Sequence, residues 1–253
     1  MTKQPLGVLV LHGFTSSLDC VSRVEAAIRA LGLPTRMPVL RGHGAASPEA
    51  LRQVTWPDWV ADGQAALDDL LTEVDRAILF GHSMGGLVAL MLAAENSGRI
   101  DSIVAAAAAV QLQNPLAPGR PFSFLIPVVR RLLKSWPMPP KYVDPAAAVT
   151  DTCYRYAPIP AVMSFLAFSG ATRRRLPEVR APILILQSHK DTTVAPESAE
   201  IVYREVSTPA GQKRIVWFEV TEHEMFRDCE RDATARTVAE YVRERAGKGT
   251  GAA

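Results

Sequence analysis

Short apolar runs alternate with longer amphipathic stretches along most of this chain, and this alternation constrains the fold more than any other feature of the sequence. The apolar runs predict strands, which we place at residues 7–11, 35–39, 76–80, 102–110, 182–187 and 214–220. The amphipathic stretches predict helices at residues 20–31, 56–73, 84–95, 197–206 and 232–245. Because strands and helices in alternation form right-handed βαβ units, the sequence predicts an α/β fold. Its sheet would be mostly parallel, with about six to seven strands and helices on both faces.

One region departs from this alternation. Residues 111–175 are rich in proline and aromatic side chains, and they are too many for a plain connection in a compact domain. We predict that this region, called the cap segment below, is inserted after the strand at 102–110 and packs over the carboxyl edge of the sheet. Residues 1–110 and 176–253 would then form the core.

The composition excludes several classes of protein. The 253 residues, 48% of them hydrophobic, suffice for one large α/β domain, and a formal net charge of +2 gives no indication of nucleic-acid binding. No segment approaches the length of a membrane span, and the N-terminal apolar run is too short for a signal peptide. Cys20, Cys153 and Cys229 form no CxxC pair and are expected in the core, so we predict a reducing, cytoplasmic setting.

The hexapeptide GHSMGG at residues 81–86 lies between a predicted buried strand and a predicted helix. A serine between two glycines at such a turn is the nucleophile-elbow pattern G-x-S-x-G. The turn leaves no room for side chains at Gly81 and Gly85, and it lifts the Ser83 hydroxyl above the sheet at the N-terminal end of the helix. Ser83 is therefore the candidate nucleophile.

A serine nucleophile needs a base, and the base needs a group that orients it. In a parallel sheet these groups lie on loops after strands, because those loops meet at one edge. His223, after the last strand, is the expected base, and Asp191, after the strand at 182–187, is the expected acid. Their order after Ser83 matches the order Ser…Asp…His. A surface histidine and a turn aspartate are the alternatives.

The remaining four histidines have other expected roles. His12 would shape the loop beneath the nucleophile, and His82 would position its neighbours. His43 would be structural, and His189 would be an exposed neighbour of the acid.

The oxyanion formed during acyl transfer needs two backbone N–H donors. Met84, the residue after the nucleophile, is expected to supply one of them. Phe14 is expected to supply the other, because Gly13 lets the loop after the first strand turn close to the substrate.

In the cap segment, four apolar residues are candidates for an acyl-binding wall, and packing of the cap on the core is the alternative role. They are Phe124, Val128, Met163 and Phe165.

The sequence resembles the α/β-hydrolase fold and, more narrowly, the small bacterial carboxylesterases and monoacylglycerol lipases. The resemblance rests on LVLHGFTSS at 9–17, RGHG at 41–44, WPDW at 56–59, GHSMGG at 81–86 and the segment at 181–203. It implies a triad of Ser83, Asp191 and His223, oxyanion donors Phe14 and Met84, a small cap over an apolar acyl pocket, and no cofactor or metal. The sequence departs from the family pattern at Glu222, where members usually carry glycine, and in the cap segment.

The expected activity is hydrolysis of short- to medium-chain carboxylic esters or monoacylglycerols through an acyl-enzyme. Thioester hydrolysis, C–C bond hydrolysis and perhydrolysis are alternatives on the same fold, and so is a receptor that binds a ligand without turnover. We also expect the charges of Glu222 and Glu224 to stabilise the imidazolium of His223. The acidic limb of the pH–rate profile would then lie at higher pH.

Overall fold

The computed structural model describes residues 3–249, apart from residues 118 and 140. The strands are β1 (Gln4–Leu11), β2 (Thr35–Arg36), β3 (Val74–His82), β4 (Ile100–Ala106), β5 (Ser135–Pro137), β6 (Tyr156–Pro158), β7 (Ile183–Ser188) and β8 (Lys213–Phe218). The α-helices are α1 (Asp19–Arg29), α2 (Trp56–Glu73), α3 (Met84–Glu95), α4 (Ile126–Leu132), α5 (Pro145–Val149), α6 (Ile159–Arg175), α7 (Glu197–Glu205) and α8 (Arg231–Gly249).

Six of the strands form a parallel sheet in the order β2-β1-β3-β4-β7-β8. Every residue of β4 and β7 is buried, because apolar helices cover both faces of the sheet. Helices α1 and α8 supply apolar side chains to one face, and α2, α3, α6 and α7 supply them to the other. The predicted parallel sheet is confirmed, and its carboxyl edge collects the loops that follow β1, β3, β7 and β8.

Three predicted strands end earlier in the structure than in the prediction: β8, which ends at Phe218, and the two described next. The first is β2, which pairs with β1 only at Thr35 and Arg36, since Pro38 cannot donate to a strand ladder. The second is β4, which ends at Ala106, where the following Ala107 has a φ of 42°. Residues 107–110 then pass against the turn at Ser83, and the Ala109 N–H donates to the Ser83 carbonyl (3.3 Å). An apolar run alone does not show where such a strand ends.

The cap segment contains α4, α5, α6 and an antiparallel pair of short strands, β5 and β6, which the sequence did not predict. Helix α6 joins it to the core, because Phe168 is fully buried and stacks on Trp56 with ring centroids 5.3 Å apart. Ser164 Oγ also accepts the Trp56 N–H at 2.7 Å. The division of the chain into a core and a cap stays a prediction.

The three cysteines occupy different environments. Cys20 is buried, Cys153 is half-buried and Cys229 is exposed just before α8, so the prediction of a core position is wrong for Cys229. The Sγ atoms of Cys20 and Cys153 lie 3.1 Å apart, although the two residues are 133 positions apart in the sequence. In the part of the chain that the structure describes, no helix combines the length and apolarity needed to cross a membrane.

Candidate active site

Ser83 lies in the turn between β3 and α3, with a φ of 55° and a ψ of −116°. Residues other than glycine rarely adopt this conformation, and the strain is characteristic of functional turns. A Cβ added to Gly81 would overlap the backbone of Gly85, and one added to Gly85 would overlap the carbonyl oxygen of Leu11. Both glycines are therefore required for the close approach of backbones that holds Ser83 at the carboxyl edge.

The structure brings Ser83, His223 and Asp191 together in one chain of hydrogen bonds. Ser83 Oγ lies 3.0 Å from His223 Nε2, and His223 Nδ1 lies 2.9 Å from Asp191 Oδ2. Their exposed fractions are only 5%, 6% and 1%, respectively. This arrangement can deprotonate the serine hydroxyl and stabilise the resulting imidazolium.

Asp191 is held as a carboxylate by the loop between β7 and α7. Its Oδ1 accepts the N–H groups of Thr193 and Val194, both at 2.8 Å, and its Oδ2 also accepts an N–H from Gln187 at 3.1 Å. Burial alone would raise the pKa of Asp191, but the charge and hydrogen bond of His223 and the two backbone N–H groups outweigh burial and lower it.

His223 lies in the loop that connects β8 to α8, residues 219–230, called the β8 loop below. Burial alone would lower its pKa, but the charge and hydrogen bond of Asp191, with smaller contributions from Glu224 and Glu222, raise the pKa of His223 to about 9. The imidazolium is therefore the strongly stabilised form of this ring.

Two further residues hold the β8 loop in place. His82 Nε2 lies 3.0 Å from the carbonyl oxygen of His223, which can only accept, so His82 donates there. Glu222 accepts the N–H of His223 at 2.6 Å and hydrogen bonds from the backbone and hydroxyl of Thr192. Glu222 thus joins the acid and base loops directly, a contact that the sequence analysis did not predict.

A third support of the β8 loop, Asp228, was missed by the sequence analysis. Its fully buried carboxylate accepts the Glu222 N–H at 2.7 Å, as well as the N–H groups of Val143 at 3.1 Å and Asp144 at 2.8 Å in the cap segment. Val143 and Asp144 lie 85 and 84 residues from Asp228 in the sequence, so no local pattern indicated their contact with it.

The loop after β1, residues 12–17, lies against the nucleophile and is called the β1 loop below. A Cβ added to Gly13 would lie 3.2 Å from the Cβ of Ser83, which shows how closely this backbone approaches it. The next residue is Phe14, whose ring stacks on Phe165 with centroids 4.8 Å apart. Met84 follows Ser83 directly and begins α3, and N–H groups in the first turn of a helix have no intrahelical acceptor. Phe14 lines the small cavity at Ser83, and both residues stay predicted oxyanion donors.

Two buried histidines fix the β1 loop. His12 Nε2 accepts the Leu40 N–H at 3.0 Å, and His43 Nε2 accepts the Thr15 N–H at 3.1 Å. The Nδ1 atoms lie near carbonyl oxygens of Gly13 and Leu40, at 2.9 and 3.1 Å, so each ring is neutral and donates from Nδ1.

The pKa values of these two rings agree with a structural role. Burial lowers the pKa of His12 to about 4. Burial and the nearby His12 lower the pKa of His43 to about 3. Neither ring is therefore suited to exchange a proton with Ser83 near neutral pH.

His189 differs from these two buried histidines, because it is exposed as predicted. It pairs with Glu219 at 3.0 Å and stacks on Trp217.

One cavity contacts Ser83, and a second, larger cavity adjoins the first. A small one of about 70 Å³ contacts Ser83 and His223, and an apolar one of about 600 Å³ shares Phe14, Met138 and Phe165 with it. A larger groove of about 1020 Å³ lies between α1, α5 and α8, but it is lined by other, mostly polar residues and does not reach the triad. The small cavity at Ser83 and the apolar cavity that adjoins it are therefore the relevant ones for chemistry there.

The four predicted cap residues divide into two pairs. Met163 and Phe165 of α6 line the 600 Å³ cavity. Phe124 and Val128 lie outside its lining and are 70% and 53% exposed, which corrects their predicted place on the wall. The cause lies in α4, whose Ile126 and Val129 contact the cavity, so Val128 faces away.

Among the described residues, one group of potential metal ligands has its ligand atoms within 4.8 Å of one another. It consists of Cys20, Asp151 and Cys153.

Comparison with known proteins gives consistent results along nearly the whole chain. The sequence profile of a family described as serine aminopeptidase, S33, matches residues 4–230. A thermostable monoacylglycerol lipase of Bacillus sp. (strain H-257) is 26% identical over 249 residues, which cover 96% of this chain and 92% of that protein. A carboxylesterase of Bacillus subtilis (strain 168) is 24% identical over 93% of this chain and 91% of its own length.

A solved structure from work on LipS and LipT, two metagenome-derived lipolytic enzymes, superposes with a TM-score of 0.83. It shares 24% sequence identity with this chain and covers 96% of this chain and 95% of its own. The two proteins therefore share a fold.

Proposed function

Because this chain belongs to the serine aminopeptidase S33 family and has the α/β-hydrolase fold, we propose that it is a serine carboxylic-ester hydrolase. Its substrates would be short- to medium-chain esters or monoacylglycerols. The observation that carries this proposal is the chain of hydrogen bonds from Ser83 through His223 to Asp191, beside an apolar cavity.

In the proposed mechanism, His223 takes the proton of Ser83 Oγ as that oxygen attacks the ester carbonyl. The charge of Asp191 stabilises the imidazolium while it exists. The N–H groups of Phe14 and Met84 would bind the oxyanion, and His223 would then protonate the departing alcohol. Water hydrolyses the acyl-enzyme by the same steps in reverse, which regenerates Ser83.

The proposed substrate class rests on the cavity and on the relatives. An acyl chain could enter the 600 Å³ space, whose lining in the cap segment includes Ile126, Val129 and Met163. Apolar pockets with few polar groups are typical of sites for such chains. The curated relatives named as a monoacylglycerol lipase and a carboxylesterase support an ester rather than an amide substrate.

The test is a series of chromogenic esters of increasing acyl length, together with monoacylglycerols and aminoacyl anilides. We expect multiple turnover of esters, and loss of about a millionfold in kcat for Ser83→Ala. Ser207→Ala, which changes an exposed serine outside the site, is the matched control and should retain activity. Absence of turnover on every ester, a single acylation without turnover, a preference for the anilides, or an active Ser83→Ala would each contradict the proposal.

A further inference from the structure

Cys20 of α1 and Cys153 of the cap segment meet next to the β1 loop. Their Sγ atoms are 3.1 Å apart, only about 1 Å longer than a disulfide bond. Both are free thiols in this structure, and Ser16 Oγ lies 3.7 Å from Cys153 Sγ. Two sulfur atoms at this distance need little movement to bond covalently.

The surroundings of the pair favour a thiolate. A hydrogen bond from Cys153 lowers the pKa of Cys20 to about 6 despite burial, with further contributions from Ser16, Ser17 and the charge of Arg227. Cys20 is also the second residue of α1, and a helix N-terminus stabilises a thiolate. The same hydrogen bond raises the pKa of Cys153, so Cys20 is the sulfur of the pair that loses its proton first.

A bound divalent metal is the competing interpretation of this cluster, because Asp151 lies beside both sulfurs. The oxygens of Asp151 already have partners: its Oδ1 accepts from the Tyr142 hydroxyl at 3.1 Å, and its Oδ2 pairs with Arg155 at 3.2 Å. The guanidinium of Arg227 lies 3.5 Å from Oδ1 as well. Both positive charges at this carboxylate oppose a metal cation, and that of Arg227 also stabilises the Cys20 thiolate.

A small oxidant can reach the pair through the site already described. Cys153 is half-buried and lines the same small cavity as Ser83. The next residue, Tyr154, donates its N–H to the carbonyl oxygen of Thr15 in the β1 loop at 2.9 Å. A covalent bond at Cys153 would therefore act beside the loop that supports Phe14.

We propose that Cys20 and Cys153 form a redox-active pair, which hydrogen peroxide converts to a reversible disulfide between α1 and the cap segment. The thiolate of the pair attacks one peroxide oxygen, and a sulfenic acid and hydroxide form. The sulfur of the remaining thiol then attacks the sulfenic sulfur, and water leaves with the thiol proton. One peroxide is reduced and two cysteines are oxidised, and a dithiol reductant reverses the bond by exchange.

Formation of the disulfide can be measured without any substrate, so this test is independent of the proposed function. Purified reduced protein is treated with a small excess of hydrogen peroxide and analysed by intact mass and peptide mapping. We expect the loss of two hydrogen atoms, a crosslinked peptide that contains Cys20 and Cys153, and a fall from three titratable thiols to one. The dithiol reductant should restore all three thiols.

Variants assign the bond, and thermal unfolding reports its effect. Cys20→Ser and Cys153→Ser should lose the crosslink, whereas Cys229→Ser, which changes the exposed cysteine, should keep it. Oxidation should raise the unfolding midpoint of wild type and Cys229→Ser, because the bridge closes a long loop in the unfolded chain. The wild-type result is informative even if a serine variant fails to fold.

Three outcomes would overturn the proposal. The first is three thiols that remain titratable in wild type after peroxide treatment, and the second is a crosslink that maps to Cys229. The third is stoichiometric retention of Zn²⁺ by the reduced protein with Cys20 and Cys153 protected from alkylation, which would identify a metal site instead.

Discussion

The carboxyl edge of the sheet and the cap segment meet at Ser83, and they hold their residues by different kinds of contact. At the edge, directed hydrogen bonds fix each ring, as those of His12, His43 and His223 show. Where the cap segment lines the 600 Å³ cavity, apolar contacts hold the side chains, for example where Phe165 stacks on Phe14. We therefore expect changes at the edge to act on kcat and changes in the cap segment to act on KM.

Among the changes that compare the edge with the cap segment, Asp191→Asn at the edge has the largest expected effect. Without the anionic partner, the pKa of His223 should fall and its imidazolium should lose its stabilisation, so kcat should drop by about ten-thousandfold. Steady-state kinetics measure the drop, and NMR titration of His223 measures the pKa. Asp232→Asn, a change at a surface aspartate, is the control. A loss below about tenfold would break the assignment of Asp191.

The second effect is that of His43→Phe, which removes a structural ring from the edge. The Thr15 N–H would lose its buried acceptor, so unfolding free energy should fall by about 1–3 kcal/mol in urea titrations. A displaced Phe14 N–H should lower kcat by about tenfold to hundredfold. His189→Phe, at an exposed histidine, should do neither.

His43→Phe also separates support from proton transfer. Because burial keeps the pKa of His43 at about 3, the acidic limb of the pH–rate profile should keep its position. A shifted limb would indicate that His43 takes part in the titration of the site.

The third effect lies in the cap segment, where Met163→Ala should raise KM for medium-chain esters by about tenfold. The variant removes apolar surface from the 600 Å³ cavity, so the change for the shortest ester should be smaller. Val128→Ala is the matched control, since Val128 is exposed. If Met163→Ala instead lowered kcat equally for every ester, the division of roles between edge and cap would be wrong.

The smallest effect concerns the pH profile of the double variant Glu222→Gln/Glu224→Gln. His223 must be unprotonated to accept the Ser83 proton, so activity should rise with pH through the His223 pKa of about 9. Removing two nearby negative charges lowers that pKa, and the acidic limb should move to lower pH. Rates below the limb should rise by about a few-fold.

Glu219→Gln is the control for this variant, because Glu219 is exposed and pairs with His189. A limb that stays in place in the double variant would reject a role for the two charges.

The predictable part of this protein is the part with local sequence signals. The α/β-hydrolase fold and the family are confirmed, since alternating strands and helices and the glycines around Ser83 are signals of this kind. The triad stays a prediction of function, although the structure brings Ser83, Asp191 and His223 together. These residues were selected because each follows a predicted strand and because they occur along the chain in the order Ser, Asp, His.

The contacts that were missed depend on distant parts of the chain. Asp228 meets the cap segment, Cys20 meets Cys153, and β5 pairs with β6 across about twenty residues, none with a short-range motif. The apolar character of Phe124 and Val128 did not show which way they face: Val128 lies on α4 away from Ile126 and Val129, and Phe124 precedes that helix and is exposed. The side of a helix that faces a cavity depends on its packing partners, and the local sequence does not identify those partners.

The carboxylate of Asp228 has a thermodynamic consequence for how this site assembles. It binds the N–H groups of Val143 and Asp144 in the cap segment and that of Glu222 next to His223. These backbone hydrogen bonds outweigh burial and lower the pKa of Asp228, so the anion that joins the two regions persists in mildly acidic solution. Any local unfolding of the cap segment at Val143 and Asp144 is therefore coupled to order in the β8 loop, and each region must favour order in the other by the same free energy.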